Sequence, residues 1–407
     1  MNAELGGMQL TAPEGSSVVV VSDGGSINLQ DMNLTGALGA PVLSAEGDSS
    51  LTISESILLG GTTSIWTTGG VTSLTVNDVE ISGPQEAGIW TSGGVTSLID
   101  VRINNVSSTP GLVTDRDGWG LVVSGNDVVV HNVTIDGAVR GGIVAAIDGV
   151  ASFKDIKVSN VIEGSDGSWG RGVHIEGIDG GGEANLENIE IENVKETGIF
   201  VQNLGDAYIQ NVSITNVEAV ASDDGEAPRG GDGLVLLQDV PEDLAYLADI
   251  TDVYMQLSGE NAFRSIARAG IIAHCSHLVL DTEPVVMDAG LVGEYGSIFS
   301  QSTAVVDLEY ATTTTEPSET DGGGDGELGA DDGEGEDGGD AYGHDEDEGG
   351  DDYGESEGGT GGEDTEGDDD TGSAGSDDEE SASPGVDERS DEDSLDLDSS
   401  GFSFGSK

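Results

Sequence analysis

Acidic, basic and aromatic side chains gather in three segments of this 407-residue chain. The first ends Asp115-Arg-Asp-Gly-Trp-Gly120, and the second contains Asp166-Gly-Ser-Trp-Gly-Arg-Gly172. The third runs Asp223-Asp-Gly-Glu-Ala-Pro-Arg-Gly-Gly-Asp-Gly233. Paired carboxyl groups across a groove suit glycoside hydrolysis, where one protonates the leaving oxygen and the other attacks or activates water. A polysaccharide lyase instead needs a base at the sugar C5 proton and a cation against the uronate, often calcium held by carboxylates. Asp117, Asp166 and Asp232, with Arg116, Arg171 and Arg229, are therefore candidate catalytic residues. Trp66, Trp90, Trp119, Trp169, His174 and Phe200 are candidate ligand-binding residues, because flat apolar rings suit the CH-rich faces of sugars. The structural alternative is that Arg and Asp pair within these segments and hold them in shape.

The elements that must position these groups are short and repeated. "SIWTTGGVTSL" from Ser64 returns as "GIWTSGGVTSL" from Gly88, and a fixed period of this size marks a solenoid. Further along, lines begin Gly-apolar-x-apolar at Gly120, Gly142, Gly172, Gly198 and Gly233. Each line then reaches Asn/Asp-apolar-x-apolar, as in Asp78-Val-Glu-Ile81, Asp155-Ile-Lys-Val158 and Asn188-Ile-Glu-Ile191. A short apolar pair such as Val128/Val130 lies between the two. Alternation over three to five residues predicts half-buried strands, three to a turn, and no stretch here keeps a helical period. The corner residues Asp78, Asp100, Asn132, Asp155, Asn188, Asn211 and Asp252 tolerate a left-handed backbone, and their side chains are expected to ladder along the axis. His131 is read as structural with them. The central residue of each first strand should face outward, giving a strip of Trp66, Trp90, Val122, Val144, His174, Phe200 and Val235. Spacings between successive corners run 22, 32, 23, 33, 23 and 41, which places the three chemistry-bearing segments as long loops beside that strip.

These lines resemble the right-handed parallel β-helix repeats of the pectin-lyase-like superfamily over about Met8 to Leu280. The resemblance implies an all-β, right-handed parallel β-helix of about ten three-stranded coils. That superfamily includes lyases, hydrolases, esterases, epimerases, adhesins and non-catalytic surface proteins, so a shared fold carries no single activity. Its familiar catalytic signatures are absent. The sequence has no Asn-Thr-Asp, Gly-His-Gly and Arg-Ile-Lys set of polygalacturonases, no Arg-x-Pro-x-x-Arg of pectate lyases and no Asp-Pro-His-Glu of alginate epimerases.

Composition narrows the partners. With 80 acidic residues against 12 basic ones the net charge is −68, which repels nucleic acid and anionic membranes. No run is apolar enough to insert in a membrane, and the N-terminus lacks a signal-peptide pattern. Residues 1–310 are expected to form the β-helix, with 1–17 an incomplete first coil and 263–310 the last rungs and cap. Residues 311–407, almost wholly Gly, Asp, Glu, Ser and Thr, are expected to be a disordered acidic tail. Its Asp/Glu runs lack the spacing of ordered calcium loops, so calcium is a weak expectation and no cofactor is assigned. His274, Cys275 and His277 fall short of a zinc set, since a strand puts only two of them on one face. The composite expectation is a monomeric, secreted or cell-surface β-helix that binds a polysaccharide or surface glycan along an aromatic groove. A polysaccharide lyase or hydrolase and a non-catalytic surface repeat are the alternatives.

Overall fold

The computed structural model describes residues 2–68, 70–108, 118–164, 167, 169–178, 181–220, 229–237, 247–257, 271–274, 277–287, 298–301 and 305–309. The chain divides into two units, Met1–Asp321 and Gly322–Lys407, and all described residues belong to the first. The acidic segment 311–407 lies outside the described residues.

The described chain is all-β. Its strands form two continuous rows in which nearly every neighbour is parallel. The first row stacks Val19–Val21, Leu43–Glu46, Thr63–Thr68 and Ala87–Ser92, then the opening residues of Trp119–Val139 and Gly141–Ile162. It continues through Arg171–Gly177, Thr197–Gln202, Asp232–Leu237, Ile271–His274 and Ile298–Gln301. The second row begins with Asn2–Thr11, Ser26–Gly36, Ser50–Gly60, Ser73–Ser82 and Val95–Asn104. It proceeds through the remainders of the two long strands to Glu183–Lys195, Asp206–Val220 and Leu247–Leu257, then the short strands His277–Leu280, Val285–Met287 and Val305–Leu308. The exception is an antiparallel pairing of Ala219 and Val220 with Gly230 and Arg229. Stacked parallel rows visited alternately by the chain are compatible with a β-helix. The N-terminal residues 2–6 pair with Ser26–Gln30 as an ordinary strand and do not fold over the stack.

The core follows from period two. One register line runs Leu43, Ile65, Ile89, Leu121, Ile143, Val173, Ile199, Leu234 and Ile271, all at most 1% exposed. Each such side chain withdrawn from water contributes roughly 1.5–3 kcal/mol. Thr67 and Thr91 occupy the same interior, and their hydroxyls satisfy one another at 2.8 Å. The recurring first-strand glycine has a packing cause. At Gly88, Gly120, Gly172 and Gly198 a Cβ would lie 2.5–2.6 Å from the carbonyl oxygen of the next glycine in the stack. It would also lie 2.5–2.8 Å from Cγ2 of an interior isoleucine.

The corners are built as side-chain ladders. Asp78, Asp100, Asn132, Asp155, Asn188 and Asn211 all have φ between 53° and 57°. Asn132 Nδ2 donates to Asp100 Oδ1 at 2.5 Å, Asn188 to Asp155 at 2.6 Å, and Asn211 to Asn188 at 2.6 Å. The side chain of Asp252 lies outside the described residues. A second ladder, absent from the sequence reading, runs through Asn160, Asn193 and Asn216, also left-handed. Asn216 donates to Asn193 at 2.9 Å, Asn193 to Asn160 at 3.3 Å, and Asn160 to Asp136 at 2.6 Å. Gly141–Ile162, Glu183–Lys195 and Asp206–Val220 therefore each turn left-handed at one Asn/Asp position and again at an Asn five residues on.

Candidate functional site

The outward strip forms a single register line. Ser44, Trp66, Trp90, Val122, Val144, His174, Phe200, Val235 and Ile272 are successive partners. Its exposure is uneven. Trp66 and Trp90 are half-buried, whereas Val122, Val144, His174, Phe200 and Val235 are at most 4% exposed. The strip is thus partly open to solvent at the tryptophan end and covered further along.

The cover is a cluster that grows from a second outward line, Thr63, Ala87, Trp119, Gly141 and Arg171. Trp119 is completely buried, and its indole lies over Gly141, where a Cβ would come within 2.6 Å of Cε3. Glycine at 141 thereby lets the indole span one rung and meet Trp169 edge-on at 5.3 Å and 82°. Trp169, at φ 65°, stacks on His174 with centroids 5.2 Å apart and planes 26° apart. His174 meets Phe200 edge-on at 5.0 Å. The guanidinium of Arg171 sits between two rings, its Cζ 4.2 Å from the Trp169 centroid and 3.9 Å from that of Phe200. Such cation–π contacts gain strength where water is excluded.

Polar contacts order the same cluster. Arg171 Nη2 donates to Glu196 Oε1 at 3.1 Å, with both side chains mostly buried. Arg171 Nη1 lies 3.3 Å from His174 Nδ1. Burial first, and the Arg171 cation second, hold the imidazole pKa well below its usual value, so His174 is neutral at physiological pH. A guanidinium can only donate, so Nδ1 is the acceptor and the imidazole proton resides on Nε2. Three buried atoms here have no hydrogen-bond partner among the described residues: Arg171 Nε, His174 Nε2 and Glu196 Oε2. Glu196 is a left-handed turn residue between Lys195 and Thr197, and its carbonyl accepts the Asp232 N–H at 3.1 Å. Asp232, 4% exposed, is the register partner of Thr197.

The structure thus brings together Trp119, Trp169, Arg171, His174 and Phe200, and sets Asp232 beside the backbone of Glu196. Trp66 and Trp90 are mutual partners at the other end of the strip. Arg116, Asp117 and Asp166 lie outside the described residues, as does the side chain of Arg229. Glu196 was missed by the sequence reading, although its place two residues before the Gly198 line marks it as a turn facing the same side. His131 bonds Asp155 Oδ2 through Nε2 at 2.9 Å within the corner ladder. The Asp155 carboxyl is held below its usual pKa, chiefly by the Asn188 amide and then by His131. Among the described residues no group of three or more His, Cys, Asp or Glu could hold a metal ion. Cys275 and the side chains of His274 and His277 lie outside the described residues. No helix among them is long and apolar enough to cross a membrane. No family model, no curated protein and no solved structure matches the chain.

Proposed function

We propose that this chain is a right-handed parallel β-helix of the pectin-lyase-like type that binds a glycan on the outward face of its first row. Right-handed connections between parallel strands are the strong rule, which supports that hand. In this reading about ten coils form the helix, 311–407 is a disordered tail, and the protein acts outside the cell or on its surface. One observation carries the binding role: Trp66 and Trp90 are register partners on the outward face and keep part of their surface in water. Large rings left half-exposed side by side are a costly surface unless a partner covers them. The test is retention of the protein on a panel of immobilised polysaccharides, with tryptophan fluorescence as the readout. Trp90→Ala should weaken binding roughly tenfold, equivalent to about 1.4 kcal/mol, whereas Ser213→Ala on the second row should leave it unchanged. Equal effects at the two positions rule out a localised face.

A catalytic reading draws on the buried carboxylate of Asp232 beside the turn that carries Glu196. Under it, chain-shortened products appear from one of the polysaccharides and vanish in Asp232→Asn. Retention without products leaves the binding role alone.

A further inference from the structure

We infer that Asn105 is an acceptor for an N-linked oligosaccharide, and that the fold selects it over the other Asn-x-Ser/Thr sites of the chain. This rests on the reading above that the protein acts outside the cell, because such glycans are added during export.

Four positions have the required spacing: Asn33-Leu-Thr35, Asn105-Val-Ser107, Asn132-Val-Thr134 and Asn211-Val-Ser213. Two of them are by-products of the repeat. Asn132 and Asn211 are corner residues followed by an interior residue and an outward polar one, and their amides are spent in the ladder. Nδ2 lies 2.5 Å from Asp100 Oδ1 in the first and 2.6 Å from Asn188 Oδ1 in the second. A sugar bonded to that nitrogen would displace the side chain of the preceding rung. Asn33 stands on the flat of its strand between its register neighbours Gln9 and Ile57. It is half-buried, and its Oδ1 is fully enclosed.

Asn105 differs from all three. It is exposed, has φ 55° and occupies the position of the second ladder. The rungs on either side carry glycine there, Gly83 before and Gly137 after. A Cβ at Gly83 would meet nothing within 4 Å, and one at Gly137 would lie 3.6 Å from Asn105 Oδ1. The oxygen is thus the atom on the Gly137 side. Asn160, Asn193 and Asn216 all donate Nδ2 to the preceding rung, and at Asn105 that rung is open. No hydrogen bond engages the Asn105 side chain among the described residues. Ser107, which supplies the hydroxyl of the motif, is exposed and reaches only the Pro84 carbonyl at 3.4 Å. In the other members of this ladder the matching residue is Ile162, Lys195 or Glu218. Hydroxyl and ladder gap therefore coincide only here.

In the transfer, Nδ2 attacks the anomeric C1 of an oligosaccharide carried on a polyprenyl diphosphate. The C1–O bond breaks, the diphosphate leaves with its electron pair, and one amide proton passes to solvent. The product keeps an N–H, the Oδ1 acceptor and the left-handed turn. Addition precedes folding, so all four sites meet the transferase and folding sorts the products. A glycan on Asn132 or Asn211 forfeits ladder bonding, and one on Asn105 forfeits none.

The test exports the full-length chain from yeast behind a cleavable leader and reads each site by mass spectrometry after enzymatic glycan release. Secreted and retained pools are both measured. Asn105 should be modified in most of the secreted protein, and glycans on Asn132 or Asn211 should concentrate in the retained pool. Ser107→Ala should lose the Asn105 glycan and Ser107→Thr should keep it, with thermal melting unchanged in both. Unmodified Asn105 in both pools would overturn the inference. Secreted protein carrying glycan on Asn132 or Asn211 as fully as on Asn105 would also overturn it, because ladder bonding would then select nothing. The leader is supplied, so these outcomes do not depend on the chain's own export. Finding the protein only inside its native cells would overturn the extracellular reading and leave the acceptor geometry standing.

Discussion

Replacing Gly172 with alanine adds one methyl group where two fixed neighbours already stand. The new Cβ would lie 2.6 Å from the Gly198 carbonyl oxygen and 2.8 Å from Ile191 Cγ2, where ordinary contact begins at 3.4 Å. The isoleucine belongs to the packed interior, at 0% exposure, and the carbonyl belongs to the backbone of the next rung. That rung cannot retreat freely, because it is stacked as closely on the following one: a Cβ on Gly198 would likewise lie 2.6 Å from the Gly233 carbonyl oxygen. Overpacking a core by one methyl typically costs 1–3 kcal/mol, and two clashes, one with backbone, put this site at about 3 kcal/mol. The control is Gly83→Ala. Gly83 has φ 70° and nothing within 4 Å of the added atom, so only left-handed strain of about 1 kcal/mol applies. Urea unfolding monitored by tryptophan emission measures both. If Gly172→Ala loses no more than Gly83→Ala, the close approach of the rungs does not constrain the chain and the packing account of the repeat glycine fails.

Further outcomes concern the corners and the buried imidazole. Asn188→Leu should cost about 1–3 kcal/mol in denaturation, through strain at φ 57° and two lost ladder bonds. Asn188→Gly, which removes the strain and keeps the loss of hydrogen bonds, should cost less than Asn188→Leu, and equal costs would refute the division. His174 is neutral when folded and titrates near pH 6.5 when unfolded, so below that pH the unfolded chain binds a proton that the folded one refuses. Stability should therefore be full above pH 6.5 and fall between pH 6.5 and 5 by up to about 1.4 kcal/mol per pH unit. In His174→Gln this part of the slope should vanish, and an unchanged slope would show that another group causes it.

Much of this arrangement was legible as spacing. The Gly-apolar-x-apolar lines fixed which residues align, so Trp66, Trp90, His174 and Phe200 fall on one line as their positions in the repeat require. The first corner ladder was legible because only Asn, Asp or Gly sits easily at φ near 55°. The second ladder carried an equally plain signal: five residues after Asp78, Asp100, Asp155, Asn188 and Asn211 stand Gly83, Asn105, Asn160, Asn193 and Asn216. What spacing could not supply is burial. Whether His174 faces solvent depends on which rings lie over it, and Trp169 reaches it across a connection of irregular length. The role of Gly141 was equally hidden. It reads as one more repeat glycine until the Trp119 indole is found occupying the space of its side chain.

The near-duplicate lines at Ser64 and Gly88 have a genetic consequence. Trp66 sits on Trp90, Thr67 on Thr91 and Ile65 on Ile89, so either line meets the same neighbours whichever position it takes. Unequal crossing-over between two such segments adds or removes one whole rung and leaves every surviving interface with a partner it already fits. A length change made in this way would come in whole rungs, each lengthening or shortening the tryptophan-bearing end of the strip without redesigning the interior.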